Sequence, residues 1–132
     1  MKIFVDTNIF LDLILKRENF NEALLIFNAV EKKVFSGFIL DITVLNIDYV
    51  AKKQIKSIQE FIEFINANFS IVGVTNKMIE DALKIEHNDF ENTLQYLGAK
   101  SFSSDCIITN DESFYKVDIP TLRSCDFVKR YL

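Results

Sequence analysis

Residues 3–15 read Ile3-Phe4-Val5-Asp6-Thr7-Asn8-Ile9-Phe10-Leu11-Asp12-Leu13-Ile14-Leu15. Ile3-Phe4-Val5 is apolar at every position, which predicts a strand buried on both faces, as at the centre of a parallel sheet. Asp6-Thr7-Asn8 then supplies helix N-cap chemistry ahead of the apolar run that follows.

A second helix is predicted from Phe20, Ala23, Leu24, Phe27 and Val30, which recur at helical spacing. Val34 to Leu40 reads as a second strand, followed by helices over Thr43–Lys53 and Ser57–Asn68. Phe69 to Val74 reads as a third strand, and Thr75-Asn76 caps a helix containing Met78, Ala82 and Ile85. Asp89 caps the next helix, with Phe90, Leu94 and Leu97 on one stripe. Cys106-Ile107-Ile108 is a fourth strand ending at Thr109-Asn110-Asp111. Pro120-Thr121-Leu122 fits a short edge strand, where proline is tolerated, and a helix around Asp126–Tyr131 closes the chain. Strands alternating with single or paired helices predict an α/β sandwich with a mostly parallel sheet.

Composition agrees with one globular domain over residues 1–132. Three Gly and one Pro leave no flexible linker, and 49% hydrophobic residues exclude a disordered chain. The net charge of −4 gives no global basic field for nucleic acid, although an acidic metal site can coexist with a local basic patch. Cys106, Cys125 and the single His87 form no zinc spacing and no disulfide framework. Charge arrives too early at the N-terminus for a signal peptide, and Ile9–Leu15 is too short to span a bilayer. The expected location is the cytoplasm, with no membrane association.

In an open parallel sheet, ligands bind beyond the carboxyl ends of the strands where the strand order reverses. Asp6 and Asp111 both fall at such ends, and neighbouring strands would aim both carboxylates into one crevice. Capping by Asp6 and turn formation by Asp111 are the structural alternatives. Glu91 faces away from the Phe90/Leu94 stripe and can reach the same crevice. No Gly-rich phosphate loop is present, which excludes P-loop and Rossmann nucleotide sites.

Four segments in order carry a family resemblance: Val5-Asp6-Thr7-Asn8, Ile47-Asp48-Tyr49-Val50, Asp89-Phe90-Glu91-Asn92-Thr93-Leu94-Gln95 and Ile107-Ile108-Thr109-Asn110-Asp111-Glu112-Ser113-Phe114. Together they resemble the PIN domain, the fold of VapC-type toxin ribonucleases. The resemblance implies a three-layer α/β/α sandwich with strand order 3-2-1-4-5. It also implies RNA cleavage dependent on Mg²⁺ or Mn²⁺. Asp6 and Asp111 match the first and last family carboxylates, and Glu91 is the expected third. Where the family carries two further carboxylates this chain has Asn46 and Asn92, so one ion is expected and not a firmly held second. Asp48 stands about 200° around its helix from Asn46 and is expected to face elsewhere.

Thr7 and Thr109 are candidates to orient the carboxylates, and Asn8 and Asn110 to hydrogen-bond phosphate. Lys52, Lys53 and Lys56 are the candidate phosphate contacts at the mouth of the crevice. The same resemblance implies an RNA substrate, an antitoxin protein covering the groove near the first helices, and a homodimer. The competing reading is a PIN fold with weakened catalysis that serves as an RNA-binding or protein-interaction module, motivated by Asn46 and Asn92.

Overall fold

A computed structural model describes residues 1–132. The chain runs β1 (Lys2–Val5), α1 (Thr7–Ile14), α2 (Phe20–Glu31), β2 (Ser36–Leu40), α3 (Asp41–Ala51) and α4 (Ile58–Asn68). It continues through β3 (Phe69–Val72), α5 (Asn76–Leu83), α6 (Phe90–Ser101), β4 (Cys106–Ile108), β5 (Thr121–Leu122) and α7 (Ser124–Tyr131). The five strands form one sheet in the order β3-β2-β1-β4-β5, and every pairing is parallel. The expected α/β sandwich and its 3-2-1-4-5 order are therefore found.

The apolar strands are buried on both faces because alternate residues feed two cores. Ile3, Val5, Ile39, Cys106 and Ile108 enter one core with α1, α2, α3, α4 and α7. Phe4, Phe38, Leu40 and Ile107 enter the other with α5 and α6. On this second face α6 lies so close that a Cβ added to Gly98 would stand 2.5 Å from Leu40 Cδ2. That close approach seats the helix bearing Glu91, Asn92 and Gln95 against β1 and β2.

Several element limits differ from the sequence reading, each for a local reason. β2 begins at Ser36 rather than Val34 because α2 ends in a Schellman motif. Lys33 takes φ 61°, with Val34 N–H donating to Ala29 O and Lys33 N–H to Val30 O. α3 starts at Asp41, whose carboxylate accepts the N–H groups of Ile42 at 2.7 Å and Val74 at 3.3 Å, and it ends at Ala51. That link to Val74 accompanies the end of β3 at Val72. α7 starts at Ser124 because Asn110, on the far side of β5, accepts the Ser124 N–H at 3.0 Å. In α2 the stripe turns slightly, so Ile26 is in the core and Leu24 is 39% exposed.

The register sets up the site. β1 is central: Ile3 pairs with Cys106 and Val5 with Ile108, so Asp6 and Thr109 leave the sheet side by side. The chain passes from β1 to β2 on one side and reaches β4 on the other, which makes this the point where the strand order reverses.

Candidate metal centre at the strand ends

A crevice of about 250 Å³ opens there, lined by Asp6, Thr7, Asn8, Leu11, Asn46, Val50, Asp89, Glu91, Asn92 and Asp111. No lysine, arginine or histidine lines it. Asp6 comes from the end of β1, Asn46 from α3, Glu91 and Asn92 from the first turn of α6, and Asp111 from the segment after β4. The α6 residues are held by Asp89, whose carboxylate accepts the Asn92 N–H at 3.1 Å and caps the helix.

Asp6 is only 2% exposed. It occupies the N-cap position of α1, but its side chain makes no capping hydrogen bond. It accepts instead from Gln95 Nε2 at 2.9 Å and from the Thr109 hydroxyl at 2.7 Å. Burial pushes its pKa above the ordinary range, aided by the Asp111 charge and opposed by those two hydrogen bonds. Glu91 is raised by burial and by the charges of Asp6 and Asp89, while the Asn46 amide bond opposes the rise. Asp111 is lowered, because Asn92 and Ser113 donate to its carboxylate.

The two asparagines are donors to these acids. Asn46 Nδ2 donates to Glu91 Oε1, and Asn92 Nδ2 donates to Asp111 Oδ2 at 3.0 Å. Asp111 Oδ1 accepts both the N–H and the hydroxyl of Ser113, so Asp111 forms the turn foreseen from the sequence as well as facing the crevice. Of the six oxygens on Asp6, Glu91 and Asp111, only Glu91 Oε2 accepts no such bond. The donor set is oxygen throughout and suits a hard divalent cation. As arranged, however, no group of three or more His, Cys, Asp or Glu side chains is poised to enclose one.

The other candidates separate clearly. Asn8 lines the crevice and is exposed. Asp48 faces a different groove, beside Ile58, Ile62 and Glu63 of α4. Thr7 does not orient a carboxylate; its hydroxyl pairs with that of Thr43 at 3.0 Å and ties α1 to α3. Thr109 does hold Asp6. Asn110 turns away from the crevice, donating to Asp12 at 3.2 Å and Ser124 Oγ at 3.0 Å. Its amide is engaged on the far side of the strand end, not toward a phosphate in the crevice. Lys52, Lys53 and Lys56 are exposed beyond the end of α3, outside the crevice lining. Gln95 was missed in the sequence. Its one signal was its place three residues past Asn92, on the turn of α6 that faces the sheet.

A PIN domain family model matches residues 2–113. The chain belongs to the PIN domain family. It is 26% identical to "Ribonuclease VapC1" of Aquifex aeolicus (strain VF5), in an alignment covering 98% of this chain and 95% of that protein. Its fold is also that of a chain in the crystal structure of VapBC2 from Rickettsia felis bound to a DNA fragment from their promoter. There the TM-score is 0.66 at 16% identity, covering 93% of this chain and 98% of that one. Within this PIN domain, β5 and α7 extend past the matched residues yet belong to the same sheet and core, through the β4–β5 pairing and buried Phe127.

Proposed function

We propose that this PIN domain is a ribonuclease that hydrolyses RNA phosphodiester bonds in the Asp6–Glu91–Asp111 crevice with Mg²⁺ or Mn²⁺. The observation that carries the reading is that carboxylates from three distant segments line one crevice where the strand order reverses. Asp6, Asp111 and Glu91 are the residues to hold one ion. When bound, such an ion offsets charge on the phosphate and activates water. The chain's own contribution is positioning: Thr109 and Gln95 fix Asp6, Ser113 fixes Asp111, and the Asp89 cap fixes the first turn of α6.

An acidic crevice needs cations outside it to hold a polyanion. Lys52, Lys53 and Lys56, exposed just past the end of α3, are our candidates for that role. By likeness to VapC proteins we extend the proposal to an antitoxin partner, a homodimer and a cytoplasmic setting. No helix is long and apolar enough to cross a membrane.

The test is RNA cleavage and Mn²⁺ calorimetry on wild type and Asp6→Asn. Cleavage and binding that vanish together in a folded variant support the proposal, and unchanged cleavage overturns it. The amide bonds to Glu91 and Asp111 favour a second reading, a non-catalytic RNA-binding or protein-interaction module. A folded wild type that binds no Mn²⁺ at millimolar concentration would select that reading.

A further inference from the structure

We infer that Asn46 and Asn92 are built-in amide latches that set the divalent-cation affinity of the crevice, each holding a carboxylate oxygen for which an incoming ion must compete. The inference rests on the crevice being a cation site, and it concerns how tightly this chain can hold the ion.

Both amide contacts run through the first turn of α6. Asn46, on α3, donates to Glu91 of α6. Asn92, on α6, donates to Asp111 beyond β4 at 3.0 Å. An amide N–H brings partial positive charge to a carboxylate without any cation, so each acid is partly compensated before an ion arrives. Asn92 is not a loose side chain that drifts aside. It is buried, it sits in the first turn of α6, and its own N–H is held by the Asp89 cap at 3.1 Å. Asn46 is fixed less tightly, half-buried at the crevice wall. With five of the six carboxylate oxygens already accepting hydrogen bonds, no three acids converge on one point. An ion entering here competes with the amide N–H groups for carboxylate lone pairs and gains no charge from the two asparagines.

The sign of the effect follows from charge. A carboxylate at position 92 would stand within hydrogen-bond distance of Asp111, and two such groups cannot both stay ionised without a cation between them. Cation affinity rises with the number of ligand charges. Asn92→Asp therefore loosens the metal-free protein and tightens metal binding. Asn46→Ala frees Glu91 without adding charge and acts in the same direction more weakly.

The experiment is Mn²⁺ calorimetry and thermal melting, with and without Mn²⁺, on wild type, Asn92→Asp and Asn46→Ala. We expect Asn92→Asp to bind Mn²⁺ about tenfold or more tightly than wild type, with a lower melting point in its absence and a larger rise on adding it. Asn46→Ala should bind a few-fold tighter. If Asn92→Asp folds only with Mn²⁺, the inference stands by the same linkage. Binding by wild type with no tightening in Asn92→Asp overturns it, as does weaker binding by Asn46→Ala, which would make the Asn46 amide oxygen a ligand. No binding by any of the three folded proteins defeats the cation-site reading itself.

Discussion

The Thr109 hydroxyl donates to Asp6 Oδ2 at 2.7 Å while accepting the backbone N–H of Asp111 at 3.0 Å. One buried side chain on the end of β4 thus sets the spacing between two carboxylates that lie 105 residues apart in the chain. Asp6 and Asp111 repel each other, as the effect of Asp111 on Asp6 shows. The hydroxyl stabilises the Asp6 carboxylate by donating to it and ties it to the Asp111 backbone.

Thr109→Val keeps the shape and removes both hydrogen bonds. It should cost about 1–3 kcal/mol of stability, the usual penalty for leaving buried polar groups unpaired. RNA cleavage should fall at least tenfold, while Thr109→Ser, which keeps the oxygen, should retain most of both. Denaturant melts and single-turnover cleavage on the pair check this. Equal activity in Val and Ser variants would show that the hydroxyl does not set the site.

Asp12 is buried on α1 with an Asn110 amide against it at 3.2 Å, and burial raises its pKa above 3.8. For an acid raised by folding, the native state holds its proton more tightly than the unfolded chain. Its stabilising effect is full below about pH 3.8 and is lost as pH rises through the native value. Asp12→Asn should therefore be relatively more stable than wild type near pH 7 than at pH 3.5. Urea melts at the two pH values measure the difference, and a gap that widens on acidification would refute it.

Lys16, Lys33 and Ser103 all have left-handed φ, of 52°, 61° and 52°. Each ends a helix with the paired backbone bonds of a Schellman motif, a position usually given to glycine. A side chain there costs about 1–2 kcal/mol in backbone strain. Lys33→Gly, part of which is offset by unfolded-state entropy, should raise stability by about 0.5–1 kcal/mol. A fall in the urea midpoint would count against that account.

Burial pushes the Cys106 thiol up to about 11, whereas Cys125 is partly exposed. At pH 8 a thiol reagent should modify one cysteine in the native protein and two after denaturation. Peptide mapping should place the native label on Cys125. Fast native labelling of Cys106 would mean that the β4–β5 side of the sheet opens readily.

Much of the fold could be read along the chain because its signals are local. Apolar strands, Thr75 and Asp89 caps and helical stripes report on neighbours within a few residues, and the β4 limits were legible for that reason. The start of α7 was not, since its capping partner Asn110 belongs to another element. Likewise Asp6 has the residue type and backbone of an N-cap, yet Gln95 and Thr109 claim its oxygens.

By itself, the sequence determined the class of the sheet, the central place of Ile3-Phe4-Val5 and the strand-end positions of Asp6 and Asp111. Those follow from burial pattern and from the geometry of parallel sheets. Only the tertiary structure decided what the polar residues do. A hydrogen bond is directional and reaches about 3 Å, so the partners of Asn46, Asn92, Gln95 and Asn110 depend on which helices pack side by side. Resemblance to the PIN family marked Asn46 and Asn92 as amides where the family carries acids. Packing turned both amides onto the carboxylates that remain.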